Sequence, residues 1–97
     1  MNIQAMMAQA RKLQKDLEKT TEEINSITFK YENENVLVEC TGDNKITKVL
    51  IKNEDILADR EMVEDIILVA VNDVLKQVKA TKDSKLGKYT NGLGGLF

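Results

Sequence analysis

Residues Ile27–Ile51, ITFKYENENVLVECTGDNKITKVLI, decide the fold. Ile27, Phe29 and Tyr31 alternate with Thr28, Lys30 and Glu32. After the polar turn Asn33–Asn35, Val36, Val38 and Cys40 alternate with Leu37, Glu39 and Thr41. Gly42–Lys45 (GDNK) supplies a second turn, and Ile46–Ile51 is a third run of β-branched character. A two-residue period with turn residues between the runs is the signature of half-buried strands. Connections this short force antiparallel neighbours. Cys40 shares the register of Val36 and Val38, which makes it a small buried hydrophobe rather than a nucleophile.

A long helical pattern lies on each side of this stretch. Ile3, Met6, Ala10, Leu13, Leu17, Thr20, Ile24 and Ile27 recur at three- and four-residue steps. They predict a first helix over residues 3–27, with a heptad-like seam broken once by polar Thr20. Downstream, residues 52–60 (KNEDILADR) form a polar connection in which Ile56 and Leu57 are the small anchor. The spacing then predicts a second helix over Asp59–Lys82, with Asp59 as its N-cap. Its apolar positions are Met62, Val63, Ile66, Ile67, Ala70, Val71, Val74, Leu75 and Val78. Acids cluster at its start and Lys76, Lys79 and Lys82 at its end, as the helix macrodipole favours. The expected architecture is α+β: a long N-terminal helix, a three-stranded antiparallel sheet and a long C-terminal helix. Residues 1–86 form one domain, followed by a flexible glycine-rich tail over residues 87–97, which holds four of the five glycines.

Lengths then imply a partner. A six-residue strand spans about 20 Å, whereas a 24-residue helix spans about 36 Å. A three-stranded sheet cannot cover either helix, so the surplus apolar surface is expected to meet a second copy, giving a homodimer.

Absences narrow the chemistry. The 97 residues contain no histidine and one cysteine, which removes the commonest general base, the usual zinc ligands and any internal disulfide. The pairs Glu22–Glu23 and Glu54–Asp55 lack the glycine-containing loop of a calcium site. Gly92, Gly94 and Gly95 are not preceded by a strand and followed by a helix, as a dinucleotide loop requires. The expectation is a non-enzyme without metal, cofactor or small-molecule substrate. The longest apolar run, Ile66–Val71, is far shorter than the roughly 20 residues of a membrane span, and the N-terminus lacks the features of a signal peptide. A cytoplasmic protein with no membrane partner is expected.

The net charge of −2 conceals segregation. Residues 1–21 carry four bases and two acids, residues 22–75 five bases and thirteen acids, and residues 76–97 five bases and one acid. On a helical wheel of about 100° per residue, Arg11, Lys15, Lys19 and Lys12 fall at roughly 0°, 40°, 80° and 100°. This single arc lies nearly opposite the apolar seam. Lys76, Lys79 and Lys82 instead wind round their helix and make a basic end. Two readings stay open for both sets: a solvated face, or a surface that tracks phosphates.

The order of elements resembles the YbaB/EbfC family of bacterial nucleoid-associated proteins over nearly the whole chain. Val36–Ile51 (VLVECTGDNKITKVLI), Asp59–Val74 (DREMVEDIILVAVNDV) and Asn91–Phe97 (NGLGGLF) carry the similarity. Within the second of these, Met62-Val63-Glu64-Asp65-Ile66 and Ala70-Val71-Asn72 match the family's helix motif. The chain departs from the pattern in having no proline in the tail, and Asn35 stands where many members have glycine. The resemblance implies a tweezer-shaped homodimer that binds double-stranded DNA with little sequence preference at the nucleoid, and through it influences nucleoid organisation and gene expression. It implies DNA-contacting helices, carried here only to Arg11, Lys12, Lys15, Lys19, Lys76, Lys79 and Lys82, and a dimer-forming sheet region. Asn72 reads equally as a structural hydrogen bonder and as a ligand. The competing reading is a chaperone-like dimeric adaptor without nucleic acid, for which Ile3, Met6 and Met7 supply an adaptable apolar tip.

Overall fold

The computed structural model describes residues 2–92. Helix α1 (Ile3–Asn25) is followed by strands β1 (Thr28–Glu32), β2 (Val36–Thr41) and β3 (Ile46–Ile51), a single 3-10 turn (Glu54–Ala58) and helix α2 (Arg60–Gly92). The strands form one antiparallel sheet in the order β1-β2-β3. The α+β architecture expected from the sequence is the one observed.

Local chemistry explains each boundary. Asn2 caps α1 by accepting from the Ala5 amide at 3.3 Å. The helix ends at Asn25 rather than reaching Ile27, because Ser26 closes it, donating its amide to the Glu22 carbonyl. The Asn33 side chain accepts from the amides of Asn35 and Val36, building the first hairpin turn without a glycine. In the second turn Asn44 adopts a positive φ of 63°, a conformation asparagine tolerates better than most residues. Asp59 accepts from the Met62 amide at 3.1 Å, as an N-cap should.

Register puts Phe29, Tyr31, Val36, Val38 and Cys40 on one face. That face meets Ala70, Val74 and Val78 of α2, and these three, with Val36, Val38 and Cys40, are wholly buried. Alanine and valine at the contact let the helix settle close to the sheet. Ile56 anchors the connection into the same core, while Leu57 beside it stays exposed.

Helix α2 continues ten residues past the expected end at Lys82. Its buried stripe passes from Val78 through half-buried Lys82 and Leu86 to buried Tyr89. A lysine can occupy such a position by laying its aliphatic stem along the contact. The periodicity is therefore unbroken where the sequence showed only a charge. Residues 87–92 of the expected tail are helix, and the rest of that tail, residues 93–97, lies outside the described residues.

The far part of α2 packs against the end of α1. Thr20 and Tyr89 share a hydrogen bond of 3.2 Å between their hydroxyls, which accounts for the polar break in the seam. Ile24, 1% exposed, sits against the β2–β3 turn. A Cβ on Gly42 would lie 2.0 Å from the Ile24 carbonyl oxygen, so this turn accepts only glycine. The helices run antiparallel into an arm, and the molecule measures 70 × 22 × 15 Å with a radius of gyration of 19.4 Å. A compact chain of this length would have about 12–13 Å.

Candidate nucleic-acid interface

Arg11, Lys12, Lys15 and Lys19 are all exposed on α1. The seam side of the helix holds Thr20 against Tyr89 of α2 and Ile24 against the β2–β3 turn, so the basic arc opposite it faces water. Among the described residues, none of these four lies within ion-pair distance of an acid. Unpaired cations on a helix face are available to an anion without first breaking an internal bond.

The α2 lysines are placed differently. Lys76 and Lys79 are both exposed, Lys76 before the buried Val78 that meets the sheet and Lys79 just after it, where the arm begins. Lys79 pairs with Asp83 at 3.3 Å, an i,i+4 contact in open solvent. Lys82 is half-buried. Because the helix is longer than expected, the three-residue series continues to Lys85 and Lys88, both exposed. The Lys88 ammonium lies 5.0 Å from the Tyr89 ring centroid, within cation–π range. Sequence periodicity ends the helix at Lys82 and so does not point to these two lysines. Folding thus gathers the basic ends of the chain onto one arm, while the acids of residues 22–75 stay mostly with the sheet and the start of α2. Asn72, which reads equally as a structural hydrogen bonder and as a ligand, is exposed.

A second surface is apolar. Gln77 donates to the Lys30 carbonyl on β1, and Tyr31 and Asn33 border Asp65, Ile66 and Val69. One flank of α2 therefore lies toward β1. The other flank, with Val63, Glu64, Ile67, Leu68 and Val71, lines an open groove of about 460 Å³. Helix α2 packs on β1 and β2 and scarcely reaches β3. Ile46 and Val49 on the helix-facing side of β3 remain 40% and 51% exposed, and Leu68 is 61% exposed. Short-range periodicity marks Val63, Ile67 and Val71 as core residues and Ile46 and Val49 as parts of a strand, and it carries no information on which of them α2 fails to cover; Leu68 falls outside the predicted stripe.

Charged groups elsewhere are structural. Lys52 bridges the Glu32 carboxylate and the Asn33 carbonyl, each at 3.0 Å, and this contact holds Glu32 below the usual carboxylate range. A hydrogen bond from Thr41 lowers Asp43. Burial pushes the Cys40 thiol up, and the nearby Asp43 charge adds to it. No group of three or more histidine, cysteine, aspartate or glutamate side chains that could hold a metal occurs among the described residues.

Comparison with known proteins decides what this arm belongs to. The sequence profile of the YbaB/EbfC DNA-binding family matches residues 1–93. The chain belongs to the YbaB/EbfC family. Relatives called nucleoid-associated proteins include one from Ligilactobacillus salivarius, 38% identical over 99% of this chain and 95% of the relative. Another, from Lactococcus lactis subsp. cremoris, is 42% identical over 96% of this chain and 97% of its own length. One from Enterococcus faecalis is 39% identical over 98% and 94%. The uncharacterized protein HP0035 from Helicobacter pylori shares the fold, with a TM-score of 0.70 at 20% identity, covering 87% of this chain and 91% of that one. These YbaB/EbfC matches span the arm as well as the sheet. No helix among the described residues is long and apolar enough to cross a membrane.

Proposed function

We propose that this YbaB/EbfC protein binds double-stranded DNA as a homodimer with little sequence preference, in the cytoplasm at the nucleoid. The unpaired basic arc Arg11, Lys12, Lys15 and Lys19 on a protruding arm carries this reading. Such an arc contacts phosphates, which position a protein on a duplex without reading its bases. Lys79, Lys82, Lys85 and Lys88 add charge along the other helix of the arm, and Lys76 the least, being over the sheet. The two chains meet through the uncovered trough of Ile46, Val49, Val63, Ile67, Leu68 and Val71. A stable interface needs about 800 Å² from each partner, and an arm-bearing dimer would present two basic arcs to one duplex.

The test is binding to a random duplex across a salt series. Affinity should fall log-linearly, with a slope of about −0.9 per phosphate neutralised. Lys12→Glu with Lys15→Glu should weaken binding to every sequence alike and flatten that slope. A folded double variant with unaltered affinity would overturn the assignment of the arc.

One observation favours a second reading, that of a protein-binding adaptor. Ile3, Met6 and Met7 at the end of α1 are 70%, 51% and 50% exposed. Recovery of the same protein partners from nuclease-treated and untreated lysates would support the adaptor, and their loss on nuclease treatment would support DNA.

A further inference from the structure

The outer part of α1 has a shape and a composition that its lysines alone do not explain. Residues 2–12 are all exposed, so this segment is a bare helix. With its side chains an α-helix is about 10–12 Å across, and the major groove of a duplex is about 12 Å wide. The molecule as a whole, 22 × 15 Å across its long axis, is too thick to enter. Residues 1–15 hold Arg11, Lys12 and Lys15 and no acid. The first turn of α1 lacks the acid that the helix dipole favours there. Phosphates along the two walls of a groove supply that negative charge. Asp16, Glu18 and Glu22 follow, and they bound the groove-lying segment at Lys15.

One line of this segment carries side chains that read bases. On the wheel that places Arg11 at 0°, Gln4, Ala8 and Lys15 fall at roughly 20°, 60° and 40°. All four are exposed, on the side opposite the apolar seam. Arginine matches O6 and N7 of guanine, glutamine matches N6 and N7 of adenine, and alanine meets the thymine methyl. Gln4 and Arg11 stand about 10 Å apart along the axis at 1.5 Å per residue. That is the length of about three base-pair steps at 3.4 Å each. We propose that residues 3–15 lie in the major groove, with Gln4, Ala8 and Arg11 on base edges and Lys12, Lys15 and Lys19 on the flanking phosphates. This rests on the DNA-binding reading and adds to it a groove and a base preference. With so few base contacts the preference is about tenfold, small beside the factor of about 10³ or more that separates dedicated specific binding from non-specific binding.

Selection from a pool of random duplexes tests this on the full-length chain. The protein should enrich a short motif holding guanine and adenine, and bind it about tenfold more tightly than a scrambled duplex. Gln4→Ala should abolish the preference at the adenine and leave affinity for the scrambled duplex within about twofold. Lys19→Ala should instead weaken both duplexes by the same factor. Methylation of guanine N7, which lies in the major groove, should cost about tenfold, and the minor-groove ligand netropsin should not compete. Equal affinity for motif and scrambled duplexes, insensitivity to N7 methylation, or competition by netropsin would each overturn the groove assignment and leave the phosphate contacts standing. Failure to bind any duplex would overturn the DNA-binding reading itself, and this inference with it.

Discussion

Gly42 is the residue where the two halves of the molecule are pressed together. Its missing Cβ makes room for the Ile24 carbonyl, 2.0 Å from where that carbon would stand. Backbone on both sides leaves no flexible group to yield. Gly42→Ala should lower stability by about 2–3 kcal/mol, in the range of overpacked sites. A thermal melt would then show a drop of the order of 10–20 °C for a domain of this size. A melting point unchanged within a few degrees would mean that α1 leaves the turn at little cost. Cys40 offers a second measurement at this scale. It is wholly buried, its thiol is pushed up by that burial, and its sulfur lies 3.9 Å from the Val74 carbonyl. A thiol reagent should label it only as fast as the protein opens, with full reaction in denaturant. Rapid labelling of the native protein would place Cys40 outside the core.

At the scale of elements, helix ends and charges answer to different rules. Asp59→Ala removes the cap of α2 and leaves the Met62 amide without its partner. It should destabilise by about 1 kcal/mol, and a denaturant midpoint unchanged from the parent would deny the cap its role. The arc of α1 should behave in the opposite way. Its four bases are exposed and unpaired among the described residues, so replacing Lys15 with alanine should leave stability within about 0.5 kcal/mol. The same change should reduce the salt slope of DNA binding by about 0.9 if that lysine neutralises one phosphate. A lysine that moves stability and leaves the slope untouched would be a packing residue.

The whole molecule is governed by what its sheet leaves bare. Three strands and one covering helix bury β1 and β2, while Ile46 and Val49 of β3 and the near flank of α2 remain open. A radius of gyration of 19.4 Å for this chain length means that apolar surface is spread rather than enclosed. In the proposed dimer this trough is the interface. Val49→Asp with Leu68→Asp should give monomers in light scattering while circular dichroism keeps its helical signal. Binding to DNA should weaken with it, since two arms would no longer act on one duplex. A dimer that survives this double change would put the interface elsewhere.

The alternation of Phe29, Tyr31, Val36, Val38 and Cys40, the GDNK turn and the three- and four-residue steps of both helices were legible in the sequence. A side chain's partition between water and core sets these periods locally. The acid-rich middle between two basic ends was legible for the same reason, as was the family resemblance that rests on those segments. The extension of α2 to Gly92 was not, because a charged residue such as Lys82 shows its place in a half-buried stripe only once the far part of α2 is known to pack on α1, as at Thr20–Tyr89. Nor could spacing say which strand residues stay open, such as Ile46 and Val49, since that depends on where α2 crosses the sheet. The sequence alone determined the elements, their order and the sign of the charge on each. The tertiary structure decided that both basic ends share one arm, because antiparallel packing joins residues 69 positions apart, at Thr20 and Tyr89.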